Sequence, residues 1–152
     1  YIQPIFIDAD MNIIAERVGE AHAKECYNWK AMEDLGIRVS GGSDCPVELP
    51  DVMKGIQCAV TRTTVKDHVG PYLPEQALDI KQALDSFTAE GAYASFEENV
   101  KGRIAPGMLA DFVILGANPF ETSPEELARI PVEATYVDGV CRYSIETEGK
   151  QK

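Results

Sequence analysis

The densest chemistry in the sequence lies in Val39-Ser40-Gly41-Gly42-Ser43-Asp44-Cys45-Pro46-Val47-Glu48. A short apolar run ends at Val39, two glycines let the backbone pass close to another group, and a carboxylate comes next. An aspartate at the carboxyl end of a parallel strand stands where α/β folds place catalytic groups. There it can hold a hard or borderline cation, or take a proton from a metal-bound water. Gly-Gly-Ser-Asp is equally the composition of an ordinary loop whose aspartate caps the next helix or turn. The local pattern leaves both readings open.

The neighbouring reactive groups add little of their own. Cys45 sits beside Asp44, yet no histidine is placed to activate it, which argues against nucleophilic cysteine chemistry. His22 and His68 are isolated, with no H-x-H or H-E-x-x-H cluster, and both read as surface residues. The four cysteines, Cys26, Cys45, Cys58 and Cys141, form no C-x-x-C pair and read as reduced thiols of a cytoplasmic protein.

The elements that must position Asp44 alternate between strand and helix. Tyr1 to Phe6 is a short β-branched and aromatic run, followed by a loop through Asp8, Asp10 and Asn12. Tyr27, Ala31 and Leu35 recur at helical spacing, so a helix is predicted from about Glu20 to Leu35, ended by Gly36. Ile37-Arg38-Val39 reads as a second strand. After the proline-bounded loop from Cys45 to Pro50, Val52, Ile56 and Val60 mark another helix. Asp79 with Gln82 is a capping-box start for a helix carrying Ile80, Ala83, Leu84 and Phe87, and Thr88 opens a further helical turn.

Beyond about Phe96 the periods shorten. Gly102-Arg103-Ile104 and Ala110 to Leu115 are strand-like, with Pro106-Gly107 turn chemistry between them. Ser123-Pro124-Glu125-Glu126 starts a short helix. Val132 to Val137, Asp138-Gly139 and Val140 to Tyr143 form a predicted hairpin. The end, from Glu146 to Lys152, is charged and is expected to fray.

The chain has 152 residues, 45% of them hydrophobic, which suits one ordinary domain or two small ones. Its formal net charge of -11 repels phosphate backbones and argues against nucleic-acid binding. No apolar run is long enough to cross a bilayer. The start lacks the basic region of a signal peptide and lacks an initiator Met, so a processed chain or a piece of a longer one is expected. Strand–helix alternation implies a parallel sheet covered on both faces. A full eight-unit barrel takes about 250 residues, against about 95 here, so an incomplete barrel is expected.

Taken in order, Gln3-Pro4, Tyr27-x-Trp29-Lys30, Gly36-Ile37-x-Val39 and Gly42-Ser43-Asp44-x-Pro46 resemble the YtcJ-like branch of the amidohydrolase superfamily. Ala59-Val60-Thr61-Arg62 and Gly102-Arg103-Ile104-Ala105-Pro106-Gly107 with Ala110-Asp111 extend the match over nearly the whole chain. The resemblance implies a metal-dependent hydrolase, a (β/α)8 TIM barrel with a small β-sandwich, of which this chain is the carboxyl-terminal portion. Residues 1–97 would be the last two strand–helix units, 98–145 the sandwich strands and 146–152 a charged tail.

It further implies that Asp44 approaches a divalent metal, zinc by expectation, and acts as general base and then acid on an amide-type C–N bond of a small molecule. The other ligands would be histidines of strands preceding Tyr1. This chain alone is therefore expected to be inactive and not to hold the metal stably. Gln3, Ser43, Glu48 and Arg62 are candidate substrate contacts. For Gln3 the bland reading is a satisfied polar strand end, and for Glu48 an exposed acid. Arg62 is preferred as an ion-pair partner in so acidic a chain, and Asp111 reads as structural. Gly19-Glu20-Ala21-His22 departs from the family's Gly-x-Glu-Arg, which bears on substrate preference. The other functional class is a non-catalytic binding or assembly module derived from the same fold. Unpaired strand edges and apolar helix faces predict a homo-oligomer.

Overall fold

Two parallel segments meet at a single bridge, Ile2 with Gly41, in a computed structural model that describes residues 1–148. The Ile2 N–H donates to the Ser40 carbonyl at 2.8 Å and the Gly42 N–H to the Ile2 carbonyl at 3.0 Å. Pro4, which has no N–H to continue a ladder, opens a 3-10 turn at Pro4–Phe6 and ends the first segment. The predicted strands at Tyr1 to Phe6 and Ile37 to Val39 thus shrink to this bridge. The predicted loop after the first of them is instead helical in two places, α1 (Ile7–Asp10) and α2 (Ile14–Val18), while α3 (Glu20–Ala23) opens the stretch predicted as helix.

The helix predicted from Glu20 to Leu35 is broken. Tyr27 takes a φ of 60° between α3 and α4 (Trp29–Asp34), and its hydroxyl donates to the Asp10 carboxylate. Tertiary hydrogen bonds here override the helical period. Gly36 does terminate α4, at φ 77°, with the Gly36 N–H on the Glu33 carbonyl (2.8 Å) and the Ile37 N–H on Met32 (3.0 Å). That is the bonding of a Schellman cap, which satisfies carbonyls the helix end would orphan.

Helix α5 (Val52–Thr61) starts at Asp51, whose side chain accepts the Lys54 N–H at 3.3 Å. Its buried face includes Met53, Ile56 and Ala59; of the predicted stripe Ile56 is buried and Val60 packs against the core, whereas Val52 is exposed. Helix α6 (Ile80–Ser86) carries the predicted capping box. The Asp79 side chain accepts the Gln82 N–H at 2.8 Å, and the Gln82 side chain accepts the Asp79 N–H at 2.9 Å. Helix α7 (Ala89–Ala94) follows after Thr88.

The rest of the described chain is a three-stranded antiparallel sheet in the order β1 (Phe112–Leu115), β2 (Val132–Val137), β3 (Val140–Ser144). Asp138 and Gly139 turn the hairpin with φ of 51° and 71°, as Asp-Gly predicts. Asp111 is structural: its carboxylate accepts the Asp138 N–H at 2.7 Å. Gly102 to Ile104 is not a strand, because Gly102, at φ 92°, lies against α7, where a Cβ would be 2.6 Å from that of Ala92. The predicted short helix is a 3-10 helix, Pro124–Arg129, and the Ser123 hydroxyl bonds Glu125 at 2.5 Å instead of capping the backbone. Helix α8 (Ile145–Glu148) closes the described chain, and the predicted fraying beyond Glu148 lies outside the described residues. Ile2, Trp29, Ile56, Leu78, Leu127 and Ile130 share one buried cluster, so the parallel pair, its helices and the segment before β2 pack together.

Candidate functional site

The bridge between Ile2 and Gly41 fixes where the candidate residues lie. Gln3 follows Ile2 directly, and Gly42-Ser43-Asp44 follows Gly41, so both sets leave the carboxyl ends of two adjacent parallel segments. Gln3 and Ser43 are half-buried, and Asp44 is exposed with a φ of 56°. Among non-glycine residues, Asp and Asn adopt this left-handed region most readily. The Asp44 carbonyl accepts the Val47 N–H at 2.9 Å, which closes a turn around Cys45 and Pro46. The carboxylate is not the cap of α5; that role belongs to Asp51.

Glu48 lines a different recess. It shares a cleft of about 210 Å³ with Ile5, Asp8, Lys54, Val65 and Lys66, whose lining contains neither Gln3 nor Asp44. One Asp8 oxygen accepts the Val65 N–H at 2.6 Å, tying the start of α1 to the loop after α5. Asp8 and Lys66 gave no motif in the sequence. They come together only because α1 and the loop after α5 converge.

Arg62, preferred in the sequence as an ion-pair partner, makes no ion pair within the described chain. Its side chain is fully buried, at 0% exposure. Nε donates to the Tyr72 carbonyl at 2.8 Å and Nη1 to the Tyr27 carbonyl at 3.0 Å. The guanidinium lies 4.5 Å from the centre of the Trp29 ring and 5.7 Å from that of Tyr72. Carbonyl dipoles and aromatic faces replace the expected carboxylate. Burial lowers its pKa to about 10. His22 and His68 are exposed, as read from the sequence.

Among the described residues, no three His, Cys, Asp or Glu side chains are grouped as a metal ion requires. Asp44 offers one carboxylate, and tight binding needs several converging donors. The residues present do not by themselves build a metal centre.

A sequence model of the amidohydrolase family matches residues 1–143, across the parallel pair, its helices and most of the three-stranded sheet. The chain belongs to the amidohydrolase family. It is YtcJ-like: the Bacillus subtilis (strain 168) protein YtcJ, named as an amidohydrolase, is 33% identical over 143 residues, covering 93% of this chain and 27% of that protein. An N-substituted formamide deformylase of Arthrobacter pascens is 34% identical over 114 residues, 75% of this chain and 21% of that one. In structure, a metal-dependent hydrolase of Pyrococcus horikoshii superposes with a TM-score of 0.70 at 34% identity, over 81% of this chain and 25% of that one. The amidohydrolase chain described here thus spans about a quarter of the length of the relatives it matches. Among the described residues no helix is long and apolar enough to cross a membrane.

Proposed function

We propose that this chain is the carboxyl-terminal portion of a metal-dependent amidohydrolase acting on an amide-type C–N bond, other than a peptide bond, in a small molecule. Residues 1–97 would supply the last two strand–helix units of a (β/α)8 barrel. Residues 98–145 would supply strands of the accompanying sandwich, and 146–152 a charged tail, in a cytoplasmic protein. One observation carries this reading: two adjacent parallel segments end in Gln3 and in Gly42-Ser43-Asp44, in a chain that the family model matches over residues 1–143. The exposed Asp44 carboxylate would take the proton of the attacking water and return it to the leaving nitrogen. Gln3 and Ser43 would touch substrate beside it. Metal ligands other than Asp44, expected to be histidines holding zinc, would come from residues outside this chain. The name of the deformylase relative supports a C–N bond in an N-substituted amide as the point of attack.

The test is turnover of N-substituted formamides and simple amides by a polypeptide joining this segment to strands that carry the missing ligands. Asp44→Asn should lower kcat by about 10²–10⁴ or more with the fold unchanged, because an amide cannot accept the proton. Near-normal kcat in metal-replete Asp44→Asn would refute the assignment. The present chain alone should hold less than one zinc per molecule after dialysis. Stoichiometric zinc, lost on mutating His22 or His68, would overturn the fragment reading.

A further inference from the structure

Arg62 heads the fully buried side chains in size, and it has no carboxylate partner among the described residues. Its backbone ends α5 in the left-handed region, at φ 60°, and its own carbonyl accepts the Tyr72 N–H at 2.8 Å. The guanidinium grips two carbonyls that are far apart in sequence, those of Tyr27 and Tyr72. Each gripped residue is itself a tether: the Tyr27 hydroxyl donates to Asp10, and the Tyr72 hydroxyl donates to the Ala23 carbonyl. Tyr27, Asp10 and Ala23 all belong to residues 7–28, which follow Gln3 after the 3-10 turn Pro4–Phe6. The helices there have four, five and four residues. Helices that short do not hold themselves in water, so their order must come from outside the segment.

We propose that Arg62 is a positioning residue. By holding the Tyr27 and Tyr72 carbonyls at once, it fixes residues 7–28 against the loop after α5, and with them the Asp8 wall of the cleft that Glu48 lines. The planar fork of a guanidinium is what permits two divergent carbonyls to be served from one side chain, with the Trp29 and Tyr72 rings supporting its faces. The bearing on catalysis rests on the hydrolase proposed above; the grip itself does not, and it is read without any activity.

The experiment is hydrogen exchange by mass spectrometry on the chain as it stands, with the fluorescence of its single tryptophan and a tyrosinate titration beside it. In Arg62→Met, peptides from residues 7–28 should exchange about tenfold faster or more, the equivalent of one lost net hydrogen bond. Peptides from α6 and the β2–β3 hairpin should keep their rates. Trp29 emission should shift to the red. Tyr27, which burial and then its bond to Asp10 now hold above the ordinary tyrosine range, should titrate closer to the other tyrosines. Arg62→Lys should restore part of the protection, since an ammonium is a point charge without the fork. Tyr72→Phe, which keeps the ring and removes the tether to Ala23, should loosen the same peptides. Unchanged exchange of residues 7–28 in Arg62→Met overturns the proposal, as does an equal acceleration everywhere. If Arg62→Met does not fold, unchanged or uniform exchange in Arg62→Lys and Tyr72→Phe overturns it.

Discussion

Phe87 lies against Gly41: a Cβ built on this glycine would meet the ring's Cε2 at 2.9 Å and its Cζ at 3.0 Å, with the buried Ser86 hydroxyl also at 3.0 Å. The same ring edge stands 2.9 Å from where a Cβ of Gly55 in α5 would be. One aromatic ring thus fills the space that two glycines leave between the parallel pair and the helix. The Gly41 N–H also donates to the Ser86 carbonyl at 2.9 Å, so the segment that delivers Asp44 is seated on the end of α6.

Alanine at position 41 should therefore destabilise the fold by about 1–3 kcal/mol, the usual range for overpacking. Gly55→Ala should cost less, because alanine returns roughly 1 kcal/mol of helix propensity and the ring can swing into the apolar groove it lines. Phe87→Leu should relieve both. Urea midpoints of the singles and doubles measure this. Additive effects of Gly41→Ala and Phe87→Leu would show that the ring is not what the glycine accommodates.

The thiols give a second expectation. Cys45 and Cys141 are exposed and should react at once with a disulfide reagent, whereas Cys58 is buried and should react only on unfolding. Burial, then the Asp8 and Glu48 charges, push the Cys58 thiol up to about 12 from an ordinary 9.0. Between these values the folded state keeps a proton that the unfolded state has lost. Stability is then fully present below pH 9 and falls as pH rises towards 12. Tyr27 and Tyr72, also raised by burial, act in the same direction. Denaturant melts on either side of pH 9 should show the decline, and Cys58→Ala should flatten its onset. A slope unchanged by that substitution would assign the effect elsewhere.

What the sequence revealed was local. The Asp79–Gln82 capping box, the Gly36 terminator and the Asp138-Gly139 turn each depend on residues within five positions of one another, and all three form. The failures are tertiary. Tyr27 breaks a helical period because Arg62 and Asp10 hold it, and neither partner is near it in sequence. Arg62 read as an ion-pair partner because a chain with 25 acids offers many, yet aromatic faces and carbonyls enclose it. At the candidate site, Asp44 and its glycines were legible as a motif. The recess joining Glu48 to Asp8 and Lys66 was not, since it exists only where α1 and the loop after α5 converge.

Self-association is expected from the sheet. In the order β1-β2-β3 the strands β1 and β3 lie outermost, and Val113 and Val140 on them are about half exposed. Unpaired apolar edges recruit another strand. Light scattering at micromolar concentration should find a homo-oligomer, and Val140→Lys should shift it towards monomer by charging the edge. A monomer in the parent chain would sink this expectation.

Gln57 gives the last expectation. It sits in the middle of α5, 1% exposed, although its polarity marks it for solvent. Its side-chain oxygen accepts the Ala128 N–H at 2.9 Å, and its amide donates to the Val65 carbonyl at 3.3 Å. One amide thus satisfies a donor in the 3-10 helix before β2 and an acceptor in the loop after α5, both partly buried. A buried polar group left without a partner costs about 1–3 kcal/mol, whereas the net gain of a made hydrogen bond is nearer 1. Gln57→Leu keeps the volume and orphans both partners, so it should destabilise by a few kcal/mol at an unchanged denaturant slope. Gln57→Glu keeps the acceptor for Ala128 but removes the donor to Val65 and buries a carboxylate. It should recover stability as pH falls below the carboxylate range, because protonation restores a donor. Wild-type stability in Gln57→Leu would mean that water serves both backbone groups, and that the amide is not what joins α5 to the segment entering the sheet.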